Sequence, residues 1–351
     1  MSEVVTNKAV RSAPSNIALI KYMGKVSSEH NLPTNSSLSY TLEAMRTFVE
    51  ITELPDQLTD QLPDQWEPLP STLERPVLPI QLTEKSRDKF LRHFQLLKKE
   101  FQVTKRFRIR SANNFASDCG LASSASSFAA LTKAAVAAFK QYSSIEIPYE
   151  RLMQLSRRGS GSSCRSLVGP WAIWDREGVR PVEFGINQLS HQVIVIESKA
   201  KEVSSSQAHE RVLTSLNFKG RPERAQARMA ELIFALKEVN WKKAFDISWS
   251  EFMDMHSLFE TSVPAFGYML PDSTKGLLLL RKFWNVNSDG PLVTMDAGAN
   301  IHLLWRPDQT DLQSQFSEEF NREFPDKKIM SSVQGESVGD FDRDSNQESK
   351  A

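Results

Sequence analysis

Cysteine is almost missing from this chain: Cys119 and Cys164 are the only two in 351 residues. That excludes a disulfide framework, and the Cys/His spacing of a structural zinc site is absent as well. Such a composition suits a reducing compartment, and a cytoplasmic location is expected. A surplus of charge is missing too, with 43 basic against 43 acidic residues. A general nucleic-acid binder usually carries a basic excess, so no nucleic-acid partner is expected, while a local basic pocket for a small anion stays open. No apolar run reaches the roughly 18–20 residues of a membrane span, and Met1 to Arg11 lacks the apolar core of a signal peptide. No membrane partner is expected. The Gly-Lys-Ser/Thr of a Walker A loop is absent.

What is present is enough for a large core. Hydrophobic residues make up 40% and charged residues 25%, near globular averages, and the length allows one large domain or two intimate ones. Strand-like stretches (Ile17 to Tyr22, Thr47 to Thr52, Trp171 to Trp174, Gln192 to Glu197, Leu292 to Met295, Ile301 to Trp305) mix with helical ones. Phe90, Phe94, Leu97 and Phe101 have helical spacing behind a candidate N-cap, Thr83. Ala122 to Gln141 reads as a buried Ala-rich helix. Helices are also expected from Pro148 to Arg157, Pro222 to Val239, Trp241 to Phe259 and Asp272 to Trp284. Lys105 to Arg110 alternates basic and apolar residues like an exposed-edge strand. Six prolines in residues 54–82 predict a long surface loop or a lid. The polar tail 331–351, with five acidic residues, is expected to be disordered. Mixed elements without a regular βαβ repeat predict an α+β fold.

Four stretches carry chemistry. Cys119 to Ser126 leads a glycine and several small residues into a helix, so free N–H groups and a positive dipole end can meet a phosphate. Ser123 and Ser124 add hydroxyls for phosphate or Mg²⁺. The same residues also suit an ordinary capped helix packed through small side chains. Arg157 to Arg165 places three arginines around a Gly/Ser turn, and guanidinium matches phosphate or carboxylate in a bidentate fork; a solvated basic loop is the alternative. Lys21 closes an apolar run and either faces a buried site or snorkels out. Asp296 lies in the small-residue turn 296–300 between two apolar runs, as a general base, a metal ligand or a plain turn residue. The six histidines form no metal-ligand spacing.

In order along the chain, these stretches resemble the diphosphomevalonate decarboxylase family of the GHMP small-molecule kinase superfamily. The resemblance rests on Ala13 to Ala18 with Lys21, Tyr22, Gly24 and Lys25, and on Asn31 to Ser37. It continues through Asn113 to Phe115, Gly120 to Ala125, Arg158 to Ser162 and Cys164 to Leu167. Val203 to Ser205 and Asp296 to Gly298 complete it, so that it spans roughly residues 8–330. It implies the GHMP fold, with an N-terminal ribosomal protein S5 domain 2-like domain (8–185) that binds ATP. A C-terminal ferredoxin-like domain (186–330) would face it across a cleft. A homodimer is implied as well.

The implied reaction is ATP-dependent decarboxylation of mevalonate 5-diphosphate to isopentenyl diphosphate, with Mg²⁺. The resemblance makes Asp296 the base, Lys21 its charge partner, and Arg165 both a catalytic and a substrate-binding group. Tyr22, Lys25, Ser160 and Ser162 would hold the phosphorylated mevalonate. Gly120, Ala122, Ser123 and Ser124 would hold ATP. The chain departs from the family pattern at Met23, where tryptophan is usual, and at Asp118 and Cys119, where small apolar residues are usual. Asp118 would weaken ATP binding unless it turns away or helps hold Mg²⁺. Ala208 and His209 stand for a Gly-Met pair, which puts an imidazole able to titrate near neutral pH beside the substrate. The alternatives are a decarboxylase of mevalonate 5-phosphate, a mevalonate-type kinase, and a catalytically silent ligand-binding homologue.

Overall fold

The computed structural model describes residues 8–55, 63–73, 76–115, 123–198 and 201–332. Gly120 and Ala122, with Asp118, Cys119 and the tail from 333 onward, lie outside them.

The first half is built on two long antiparallel strands, β1 (Lys8–Ile20) and a later partner, β4 (Ser37–Glu53), paired from Lys8↔Thr52 to Ile20↔Leu38. A small hairpin, β2 (Lys25–Ser27) and β3 (Leu32–Pro33), lies between them. The strand stretch expected from 17 to 22 therefore starts far earlier and stops at Ile20, leaving Lys21 and Tyr22 just beyond its end. Pro14 sits where the register breaks, at a bulge, a place in a strand that tolerates proline.

The described parts of the proline-rich segment are not the structureless loop expected of them, and residues 56–62 and 74–75 lie outside the described residues. Its described parts contain β5 (Gln65–Pro68) and β6 (Leu78–Pro79), which add to one edge of β7 (Phe107–Asn113), the first parallel and the second antiparallel. Prolines forbid central strands but not short edge strands whose missing N–H faces outward. Buried Asp64 pins the segment. It accepts the Phe107 N–H at 2.7 Å and pairs with Lys98 at 3.0 Å. The 105–110 stretch is accordingly not an open edge: β7 has β4 on one side and β5 on the other. Its arginines look exposed in the sequence because their partners, Glu67 and Glu50, come from the flanking strands. Arg108 lies 3.4 Å from Glu67, and Arg110 lies 3.1 Å from Glu67 and 3.3 Å from Glu50.

Between β6 and β7 runs α1 (Glu84–Glu100). Thr83 caps it, its hydroxyl accepting the Ser86 N–H at 3.3 Å. α2 (Ser123–Phe139) and α3 (Tyr149–Gly159) follow, then a 3₁₀ turn (Gly161–Leu167), β8 (Trp171–Trp174) and β9 (Val179–Pro181). The sheet order is β5-β7-β4-β8-β9, with β1 also on β4. Phe90, Phe94 and Leu97 of α1 meet the alanines of α2 and Phe107 and Ile109 of β7 in one core.

The second half begins with β10 (Ser190–Val195) and α4 (Ser205–Arg211). It continues with α5 (Arg221–Lys237), α6 (Trp241–Glu260) and α7 (Pro271–Asn287). β11 (Leu292–Met295), β12 (Ile301–Trp305), α8 (Thr310–Glu323) and β13 (Lys328–Ser332) close it. Its antiparallel sheet has the order β11-β12-β10-β13. Residues 331 and 332, expected in a disordered tail, belong to β13, which pairs with β10. The two halves share a core: Ile17, Leu19 and Leu38 of the first sheet cluster with Met295, Ile301 and Leu303 of the second. α5 and α6 pack on β1 and so seal the seam.

Candidate active site

A cavity of about 520 Å³ opens at that seam. Lys21, Tyr22, Lys25, Ser123, Ser124, Ser160, Ser162, Arg165 and Asp296 all line it. These are the candidate site residues of the sequence that fall within the described part of the chain.

The end of β1 delivers Lys21, and the tight turn between β11 and β12 delivers Asp296. Lys21 Nζ lies 2.5 Å from Asp296 Oδ1, with the lysine buried and the carboxylate partly open to the cavity. Burial pushes Asp296 up, but the charge of Lys21, then His302, a hydrogen bond from Lys21 and the charge of Lys201 outweigh it, and the carboxyl falls to about 2. Burial lowers Lys21, with Asp296 opposing that shift. The contact has the geometry of an ion pair. Thr294 of β11 donates to the Ala18 carbonyl at 3.1 Å, tying the two strands together just behind it.

Arg165 leaves the 3₁₀ turn and is almost fully buried. Its Nε donates to Asn16 Oδ1 at 3.2 Å and its Nη1 to Ser37 Oγ at 2.6 Å. Asn16 is itself fixed, donating to Ser166 Oγ at 2.8 Å. The guanidinium is thus held by two neutral acceptors, so its charge is not consumed and is available to an anion in the cavity. Ser124 Oγ and Ser160 Oγ stand 3.3 Å apart, bringing the start of α2 to the Gly/Ser turn. Gly161 is required there, because a Cβ on it would fall 2.1 Å from Tyr22 Oη. Cys164 is no nucleophile: burial pushes its thiol up to about 12, and it donates to the Gly161 carbonyl.

His209 corrects the sequence reading. It stacks on Tyr22 with ring centres 4.6 Å apart, and its Nδ1 accepts the Gly24 N–H at 3.1 Å. Burial, with Lys25 nearby, takes it down to about 3, so it stays neutral at physiological pH and does not titrate there.

Several cavity groups gave no sequence signal. Ser86 and Lys89 come from α1, whose polar residues read as a solvated face. Burial, then Lys25 and Arg92, lowers Lys89 to about 8. Lys201 also lines the cavity and donates to the Ala297 carbonyl; its closeness to Val203 to Ser205 was the available hint. Among the described residues no group of three or more His, Cys, Asp or Glu could hold a metal ion. A serine-rich, cationic wall instead fits Mg²⁺ that arrives on phosphate oxygens, since this ion keeps phosphate and water ligands and few protein ones.

Two family models match. One is described as the diphosphomevalonate decarboxylase-like N-terminal domain, over residues 13–180. The other is described as the mevalonate 5-diphosphate decarboxylase C-terminal domain, over residues 192–351. The diphosphomevalonate decarboxylase of Saccharomyces cerevisiae is 30% identical over 323 residues, covering 84% of this chain and 76% of that protein. A crystal structure of a mevalonate diphosphate decarboxylase from Legionella pneumophila superposes with a TM-score of 0.83 at 44% identity. That match covers 92% of this chain and 100% of the other. A further structure, described as MDDEF in complex with MVAPP, AMPPCP and magnesium, gives a TM-score of 0.79 at 29% identity over 93% of this chain and 97% of that one.

Proposed function

The chain belongs to the diphosphomevalonate decarboxylase family, and from that premise we propose how its residues carry out ATP-dependent decarboxylation of mevalonate 5-diphosphate. The products are isopentenyl diphosphate, ADP, phosphate and CO₂, in a step of the mevalonate pathway, with MgATP as co-substrate. The observation that carries the assignment of roles is the Lys21–Asp296 ion pair on the cavity wall.

Asp296 takes the proton of the substrate's C3 hydroxyl while that oxygen attacks the γ-phosphoryl group and ADP leaves. The C3–O bond then breaks to release phosphate, the C1–C2 electron pair becomes the new double bond, and CO₂ departs. In the free protein Asp296 is too acidic for an efficient base. Its low value comes from nearby cations, and phosphates bound beside Lys21 and Lys201 would offset them and raise it. Arg165, Tyr22, Lys25, Ser160 and Ser162 hold the anionic groups of the substrate. Ser123 and Ser124, with Gly120 and Ala122, hold the ATP phosphates and would share Mg²⁺ with them. The residues need do little covalent work, since positioning and charge stabilisation dominate phosphoryl transfer.

Residues 8–185 act as the nucleotide-binding half and 186–330 as its complement. A homodimer follows from the family resemblance, and sedimentation of the purified chain reads it. A cytoplasmic location is supported by the scarcity of cysteine and the buried, unpaired thiol of Cys164; cell fractionation reads that. The reaction itself is tested by incubating the chain with MgATP and mevalonate 5-diphosphate. Equal amounts of CO₂ and ADP are expected. ADP without CO₂ would leave a kinase, turnover of only the 5-monophosphate would move the substrate, and no product would leave a silent homologue.

A further inference from the structure

α6 reaches the reacting pair from behind, on both sides, through two buried residues that do not line the cavity. Glu251 Oε1 accepts the Lys21 N–H at 3.0 Å. Arg221 of α5, fully buried against Glu251, donates to the Lys21 carbonyl at 3.1 Å, and Asn35 donates to the same oxygen at 2.9 Å. Lys21 has left the ladder of β1, so side chains satisfy both of its buried peptide groups. Five residues further along α6, His256 Nε2 sits 3.1 Å from the Asp296 carbonyl oxygen. A carbonyl only accepts, so the ring donates from Nε2. The Gly298 N–H shares that oxygen at 2.8 Å. Phe259 and Tyr268 meet the imidazole edge-on and fix its plane.

We propose that α6 sets the spacing of the Lys21–Asp296 pair, with Glu251 and His256 as positioning residues that hold the two partners by their main chains. The argument rests on the reading of this pair as the reacting centre. A side chain at the end of a strand and another in a turn would otherwise be held by only a few bonds each. One helix gripping both peptides fixes their separation independently of what occupies the cavity. The hold on Asp296 carries no charge, since burial keeps His256 neutral, down to about 4. It therefore adds nothing to the cationic field that Lys21, Lys201 and Arg165 already direct at the carboxylate.

The test compares His256→Phe, which keeps a ring among aromatics but removes the donor, with His256→Gln, whose amide restores an N–H near the same place. Expected for His256→Phe is a fall in kcat of about 10–100-fold, with both KM values within about threefold. His256→Gln should recover most of the loss. A crystal structure of the Phe variant should show Lys21 Nζ and Asp296 Oδ1 moved out of hydrogen-bond reach. Glu251→Gln keeps an acceptor for the Lys21 N–H, so it should retain kcat within a few-fold even if its Tm falls. Unchanged kcat in His256→Phe overturns the proposal. So does a loss that Gln does not rescue, or an unmoved ion pair in the crystal. If the wild-type chain makes no CO₂ yet the pair separates in the Phe variant, the reaction reading fails and the positioning role stands.

Discussion

Asp296→Asn removes a charge and a proton acceptor while changing almost no volume. A positioned base contributes about 10²–10⁴-fold to a proton transfer, so kcat should fall by that amount. ATP and mevalonate 5-diphosphate should still bind within about tenfold, because the serines and Arg165 are untouched, a change of about 1.4 kcal/mol at most. The structure also sets a stability cost. The Asp296 carboxyl sits at about 2 against an ordinary 3.8, which corresponds to about 2 kcal/mol of folding stability at neutral pH. A depressed carboxylate stabilises fully above its unfolded pKa and loses that contribution as pH falls through its folded one. The wild type should therefore melt a few degrees higher than the variant at pH 7, and the gap should begin to narrow below about pH 4 and close only near about pH 2. Stopped-time CO₂ release, calorimetric binding and thermal melts across pH read the three quantities. Turnover within tenfold of wild type would refute the assigned base. Failure of the variant to fold would favour a structural role for the turn.

Arg165→Lys keeps the charge but cannot satisfy Asn16, Ser37 and an anion together. Loss of one charge-assisted bond, about 1.5–3 kcal/mol, predicts about a 10- to 160-fold drop in kcat/KM, and near-normal kinetics would remove Arg165 from the site. Lys89 carries its charge below about pH 8 and loses it above. KM for the anionic substrates should therefore rise on the alkaline side, and Lys89→Arg should flatten that rise; a rise that persists in the variant assigns it to another group. His209→Met frees the Gly24 N–H and should change the ratio of specificity constants between mevalonate 5-diphosphate and 5-phosphate. Because His209 is neutral throughout, that ratio should be the same at about pH 6 and about pH 8; a pH-dependent ratio that vanishes in the Met variant would overturn this.

Apolar patterning made the second sheet and the long helices readable. β11 and β12 are mostly apolar because they are buried along their whole length, and Phe90, Phe94 and Leu97 mark the inner face of α1 at helical spacing. Groups whose meaning depends on a distant partner were not readable. Arg221, Glu251 and Asp254 look like solvated helix charges, yet the first two are fully buried because each neutralises the other. Arg108 and Arg110 mimic an open edge because Glu67 reaches them from a segment whose prolines hide its short strand. α8 has a weak sequence signature because its core face rests on two phenylalanines, Phe316 and Phe320, in an otherwise polar stretch. Asp296 stood out by its setting, but Lys201 and His256 acquire a role only once the turn folds against α4's leading loop and α6.

The Lys21–Asp296 pair joins residues 275 apart. At roughly 5–20 residues per second, a ribosome needs about 14–55 s to add the carboxylate after the lysine has been made. Until then the nascent first half has serines for a nucleotide but no base beside them. Chains that end before Asp296 lack the proposed base, and little turnover is expected of them. Cut within the linker between Pro181 and Ser190, neither piece carries both halves of the pair, so turnover would report only on their reunion and could serve as a two-part sensor of association.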